Sequence, residues 1–276
     1  MEKLCELLHV SRAAYYKWLH GKPSERQVEN ERIAAIVEEI HMESPDKGYR
    51  RIRDDLERYH DTPVNDKRVL RICRARGIKS TIKYANNGCT RHAANPQHIA
   101  ENVLDRNFAA EKPNEKWLTD VTEFKWYEGT TVHRVYLSAI LDLYDRRIVA
   151  FKIRDTNDIP LVFGTFDEAV RTNPDAHPIF HSDRGFQYTN RAFYTKLIRH
   201  GMMQSMSRVA KCIDNGPMEG FWGILKRERY YGKRFTDRVS LVQMIEDYIL
   251  YYNTKRLQRN LGVLTPFEKH ELYLAA

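Results

Sequence analysis

Cysteine is scarce in this chain. The four present, Cys5, Cys73, Cys89 and Cys212, include no pair spaced as a Cys-x-x-Cys clip. That leaves no thiolate framework for zinc, and the even number is no sign of disulfides in a cytosolic protein. Long apolar runs are also missing: none approaches the roughly 20 residues needed to span a bilayer. The opening Met1-Glu2-Lys3-Leu4-Cys5-Glu6 puts acids where a secretory signal would be basic and then apolar, so the expected location is cytoplasmic. No heptad run supplies a dimerising coiled coil, and no internal repeat or low-complexity tract stands out.

What is present is a chain of 276 residues, 42% apolar, with a formal charge of +8. It is long enough for a catalytic domain and a smaller appended one, and its charge suits a polyanionic partner. Residues 4–19 read as two short helices around His9-Val10-Ser11. Leu4, Leu7 and Leu8 share a face of the first, and Ser11 caps the second. A helical period runs from Glu31 to His41. Another helix opens at Gly48-Tyr49 with Ile52, Leu56 and Tyr59 inward, and a third covers Asp66 to Arg76 and stops at Gly77. From Lys67 to Arg91 there are eight basic residues and no acid: Lys67, Arg68, Arg71, Arg74, Arg76, Lys79, Lys83 and Arg91. A helix-turn-helix whose second helix carries Arg outward fits DNA contact, and a small bundle with a solvated basic face fits the same pattern. The expected division is a helical DNA-binding region over 1–84, a linker over 85–113 with few apolar anchors, and a third region over 114–276.

That third region alternates strands and helices. Strands are expected at Trp117–Trp126, Val132–Leu143 and Arg147–Ile153, joined by short turns as an antiparallel meander. A helix from Pro160 to Arg171, a strand from Pro178 to Ser182, a helix from Asn190 to His200 and a strand from Met203 to Met206 follow. Helices over Pro217–Tyr231 and Ser240–Tyr252 complete it. The fold class is therefore α/β, a mixed five-stranded sheet with helices on both faces.

Three acids stand at informative places. Asp120 has the parity of Leu118, Thr122 and Phe124 in the first strand, so one face carries an acid among apolar residues. Asp183 ends the buried strand Ile179-Phe180-His181-Ser182, where open α/β sheets host ligands. Glu219 follows with thirty-five residues between it and Asp183, in the first turn of a helix that Asp214 or Asn215 can cap. Asn215, Glu219 and Lys226 share a helix face. A water-facing strand acid, a turn aspartate and an ordinary amphipathic helix account for each feature singly. Three carboxylates brought together can hold two Mg²⁺ ions for displacement at phosphorus, which with the basic charge suits an enzyme that cuts and joins DNA. Asp142 and Asp145 read as strand-end or turn acids whose amide variants would keep activity.

The ordered set resembles the integrase-core catalytic domain of retroviral integrases and bacterial transposases, and most closely the second-reading-frame transposases of the insertion-sequence-three family. The matching blocks are Trp117-Leu118-Thr119-Asp120-Val121-Thr122, His181-Ser182-Asp183-Arg184-Gly185-Phe186-Gln187-Tyr188, Asp214-Asn215-Gly216-Pro217-Met218-Glu219-Gly220-Phe221-Trp222, Leu225-Lys226, Tyr252-Asn253 and Thr265-Pro266. Gly48-Tyr49-Arg50-Arg51-Ile52 and Val64-Asn65-Asp66-Lys67-Arg68-Val69 resemble the helical region of the same family. The resemblance implies a ribonuclease-H-like fold and catalytic, metal-binding roles for Asp120, Asp183 and Glu219, with Mn²⁺ able to replace Mg²⁺. It implies hydrolysis at an element end followed by attack of the freed 3′-hydroxyl on another phosphodiester. The implied partners are element-end and target DNA, further copies of the chain in a synaptic complex, and an upstream-frame protein or fusion. Lys67, Arg68, Arg71, Arg74 and Lys226 are the expected DNA contacts, with Asn215 in support. A ribonuclease-H-type nuclease that does not join, and a non-enzymatic regulator, are the rival readings.

Overall fold

The computed structural model describes residues 2–7, 9–82, 96–209 and 212–276. The chain divides into a helical unit, Met1–Thr81, and a sheet-centred unit, Ile82–Ala276.

The helical unit begins with α1 (Glu2–Leu7) and α2 (Arg12–Leu19). Ser11 Oγ accepts the Ala14 amide at 3.1 Å, so the expected cap forms. Leu7 is 79% exposed and buries nothing on the expected leucine face; Leu8 and the Leu4 side chain lie outside the described residues. Next comes α3 (Glu25–Glu43), which starts six residues before the apolar period does. Its first turns are polar and solvated, and the start is set by a capping box between Ser24 and Gln27. Then follow α4 (Tyr49–Tyr59) and α5 (Asp66–Ala75). Ile33, Val37 and Ile40 of α3 pack with Ile52 and Leu56 of α4 and Val69, Ile72 and Cys73 of α5. Tyr59, expected inward, is exposed, because it is the last residue of α4 and clears the edge of this small core. Asn65 caps α5 through the Arg68 amide at 2.8 Å, and Gly77 ends the turn beyond it with φ +68°.

The sheet unit opens with β1 (Lys116–Glu128), β2 (Thr131–Asp142) and β3 (Ile148–Arg154), all antiparallel, with Gly129 at φ +60° in the first hairpin. After α6 (Ile159–Thr172), β4 (Ile179–Ser182) pairs parallel with β1. After α7 (Arg191–Arg199), β5 (Met203–Met206) pairs parallel with β4. The order is β3-β2-β1-β4-β5, the expected mixed five-stranded sheet. The chain closes with α8 (Gly216–Leu225), α9 (Arg238–Thr254) and α10 (Pro266–Leu274). Strand alternation splits the core in two. Leu118, Phe124 and Leu137 meet Met218, Phe221 and Leu225 of α8 and Leu241 and Ile245 of α9. Trp117, Ile140 and Phe180 meet Val162 and Phe166 of α6 and Phe193 and Leu197 of α7 on the opposite face. The ribonuclease-H-like expectation holds in this architecture.

Three further features differ from the sequence reading. The helix expected to run unbroken from Pro217 to Tyr231 stops at Leu225, and Lys226–Tyr230 winds as one π-helical turn. The part of the expected linker at 96–113 is no spacer. Leu104 is 2% exposed within the sheet core, its amide donates to Ser205 Oγ at 3.0 Å, and Lys116 Nζ donates to the Ala109 carbonyl at 2.5 Å. Few anchors suffice there because one leucine and several backbone bonds seat the stretch; residues 83–95 lie outside the described ones. Finally α10, which the periodicity does not show, is set by a capping box between Thr265 and Glu268. Among the described residues no helix is long and apolar enough to cross a membrane.

Candidate active site

Strand register creates the first half of the site. Leu118 of β1 is paired in parallel with His181 of β4. Asp120 and Asp183 each follow two residues later, so they emerge side by side on one face. Asp120 is half-buried and receives the Trp222 indole N–H on Oδ2 at 3.1 Å. Burial pushes its carboxyl up to about 8, and the negative charges of Asp183 and, more weakly, Glu219 push the same way.

Asp183 begins the turn after β4. Its Oδ1 accepts the Gly185 amide at 2.8 Å. A Cβ at residue 185 would stand 2.9 Å from that oxygen and 3.2 Å from Gln187 Oε1, so glycine here gives the carboxylate its room. Behind the pair, the Tyr188 hydroxyl lies 3.1 Å from Thr119 Oγ1, which itself donates to the Ala139 carbonyl at 2.9 Å. Tyr188 is fully buried. Burial, with the charges of Asp120 and Asp183, raises its phenol well above the usual value.

Glu219 comes from the first turn of α8 and is the exposed member of the three. Partial desolvation raises its carboxyl. Asn215 holds the N-cap position without the expected side-chain cap. Its Nδ2 instead donates to the Thr119 carbonyl at 3.1 Å, hooking the start of α8 onto β1 beside Asp120. Asp214 does not cap either. It is fully buried and accepts from Arg208 (backbone N 3.0 Å, Nε 2.9 Å), Arg106 Nε at 2.7 Å and Asn102 Nδ2 at 3.1 Å. The hydrogen bond from Arg208, followed by that from Arg106, holds its carboxyl well below the usual range.

Asp183 and Glu219 thus both lie within electrostatic reach of Asp120. Among the described residues no three His, Cys, Asp or Glu side chains close on one point as a ready metal-holding group. The donor set nevertheless fits a hard divalent cation: it is all oxygen, and its crowded negative charges raise Asp120 in a way a cation would relieve.

The expected cations divide. Lys67, Arg71 and Arg74 are exposed along α5. Arg68 faces inward, donating from Nε to Asn30 at 2.8 Å and from NH2 to Glu29 at 2.7 Å; it ties α5 to α3 instead of standing free for DNA. Arg76 is held by Glu31 and Glu38, and Lys83 and Arg91 lie outside the described residues. Lys226 opens the π turn with Nζ 5.1 Å from the Phe124 ring centre. Burial lowers its ammonium, while the charges of Asp120 and Glu123 act to keep it protonated.

Asp142 ends β2 and Asp145 lies in the turn that follows, as expected of them. Both are fully buried. Asp142 accepts the amides of Asn114 at 2.6 Å and Tyr144 at 2.7 Å, and Asp145 accepts the Arg147 amide at 2.9 Å and lies 2.8 Å from His270 Nδ1. The sequence reading also missed His181, whose ring nitrogens lie 2.9 Å from Ser205 Oγ and 3.1 Å from Ser207 Oγ, and whose burial pushes it down to about 4. It missed Trp222 as a donor to Asp120. An indole three residues after Glu219, on the same helix face, was the available signal.

The integrase core domain family matches residues 110–212 and again 219–272, and an HTH-like domain matches residues 28–86. The putative transposase InsK of insertion sequence element IS150 from Escherichia coli is 34% identical over 99% of this chain and 95% of its own length. An uncharacterized transposase-like protein of Haemophilus influenzae is 41% identical over 74% of this chain and 91% of its own. Among solved structures, the HTLV-2 integrase catalytic core domain in complex with magnesium aligns with 58% of this chain and 97% of that one, at 16% identity and a TM-score of 0.43.

Proposed function

Because the chain belongs to the integrase-core transposases of insertion elements, we propose that Asp120, Asp183 and Glu219 are its catalytic acids and together hold two Mg²⁺ ions. The observation that carries this reading is the β1–β4 register, which sets Asp120 beside Asp183, with α8 hooked to the same strand by Asn215. Bound at these oxygens, the ions would supply Lewis-acid polarisation of the scissile phosphate. The chain's own groups do the rest. Glu219, exposed and with its carboxyl raised, is placed to orient water and take up its proton. Water oxygen then bonds to phosphorus as the bond to the 3′-oxygen breaks, and the proton taken from the water passes to the departing 3′-oxygen, which leaves as a hydroxyl. In the joining step that hydroxyl gives up its proton as its oxygen bonds to a target phosphorus, and the target's own 3′-oxygen departs and takes up a proton, so the number of phosphodiester bonds is unchanged.

DNA is the proposed partner, engaged at element ends and at a target. Lys67, Arg71 and Arg74 supply phosphate contacts on α5, and Lys226 a cation near the acids. Further copies of the chain in a synaptic complex, and an upstream-frame protein or fusion, complete the proposed assembly. The test uses the full chain, with and without the upstream-frame fusion, on duplexes carrying the element ends. With Mg²⁺ or Mn²⁺ the expected products are a nicked end and a joined strand, and a chelator removes both. Cleavage without any joined product would favour a nuclease, and full activity in chelator would overturn the metal assignment.

A further inference from the structure

Trp222 lies three residues beyond Glu219 on α8 and is 6% exposed. Its ring is wedged in the core between β1 and the helices, 5.1 Å from the Phe221 ring centre. The one polar atom of that ring, Nε1, does not seek a backbone carbonyl. It donates to Oδ2 of Asp120 at 3.1 Å. An indole N–H is a donor only, so it pairs with an acceptor oxygen and favours the ionised carboxylate. A packed indole also has little freedom, so the hydrogen bond fixes a direction as well as a charge state. Packing alone would be met equally well by an aromatic ring without the N–H.

We propose that Trp222 is a positioning residue: its indole N–H holds Oδ2 of Asp120 in the orientation in which that carboxylate receives a divalent cation. This rests on the metal-binding role proposed for Asp120. The same helix thereby carries one acid, Glu219, and orients another, so a shift of α8 would disturb both together.

The test is direct Mn²⁺ binding to the full-length protein without DNA, read by calorimetry or by the electron-spin signal of free Mn²⁺. Three proteins accompany the wild type: Trp222→Phe, a variant with the 222 indole replaced by the isosteric benzothiophene, and Asp120→Asn. Groups that hydrogen-bond to metal ligands typically govern affinity by about 10–100-fold. Both ring variants should therefore bind Mn²⁺ at least about tenfold more weakly, and the benzothiophene variant should keep its metal-free denaturation midpoint. If that variant binds Mn²⁺ like the wild type while Asp120→Asn does not, Trp222 has no positioning role and the acid assignment stands. If Asp120→Asn also binds normally, both proposals fall. Weaker Mn²⁺ binding matched by an equal loss of metal-free stability in the isosteric variant would mean packing, and would overturn the inference.

Discussion

At the scale of single residues, what holds the site is a set of buried polar side chains with assigned partners. Asp214 shows the logic. Its carboxylate has no solvent, and Arg106, Arg208 and Asn102 replace that solvent while tying three stretches of chain together just ahead of α8. Breaking a buried ion pair costs about 3–5 kcal/mol, and near-half exposure of both arginines reduces this. Asp214→Asn should therefore cost about 2 kcal/mol at neutral pH. The sign of the pH dependence follows from the depressed carboxyl. The stabilisation is complete above the unfolded value of about 4 and is lost as pH falls below it toward the folded value. Urea midpoints of wild type and variant should converge as pH drops through that range, and a gap that stays constant would contradict the account. None of this was legible in the sequence, where Asp214 reads as a cap. Asp120, Asp183 and Glu219 stood out only as an ordered set, because each taken singly fits an ordinary strand, turn or helix acid. Arg68 misled because helical spacing does not say that a partner helix offers Glu29 and Asn30.

At the scale of elements, period-2 and period-3.6 patterns give nearly all the strands and helices, and failures concentrate where caps or tertiary pairs decide. The early start of α3 and the whole of α10 come from capping boxes. The π turn after α8 coincides with a buried charge pair. Glu228 accepts from Arg256 NH2 at 2.8 Å and from the Tyr248 hydroxyl at 3.0 Å, binding the turn to α9 and the chain just beyond it. Asn253 of α9 similarly brackets Ile148 of β3, accepting its amide at 2.9 Å and donating to its carbonyl at 3.0 Å. Glu228→Gln would leave Arg256 buried beside a neutral group. It should lower stability by about 3 kcal/mol or more, read as a shifted denaturant midpoint with an unchanged slope. A midpoint within error of the wild type would show that the pair does not hold the turn.

At the scale of the whole molecule, the chain reads as two units, and the DNA contacts proposed on α5 lie wholly within the helical one. Over 96–113 the linker expectation fails: composition marks few apolar residues there but cannot show that Leu104 is seated in the sheet core. A binding fragment should accordingly end at Thr81, where the helical unit closes, rather than beyond residue 96. Its affinity for duplex DNA should fall steeply with salt, and replacing Arg71 and Arg74 together by alanine should reduce the logarithmic slope by roughly 2. An unchanged slope would remove α5 from the DNA-facing surface. For the catalytic unit, the central claim is that three carboxylates perform the chemistry and do not serve DNA binding. Its most direct test measures strand cleavage and DNA affinity in the same samples of Asp120→Asn, Asp183→Asn and Glu219→Gln, with Mg²⁺ present. The account predicts that each variant binds DNA like the wild type and cleaves none of it; robust cleavage by any one of the three would contradict it.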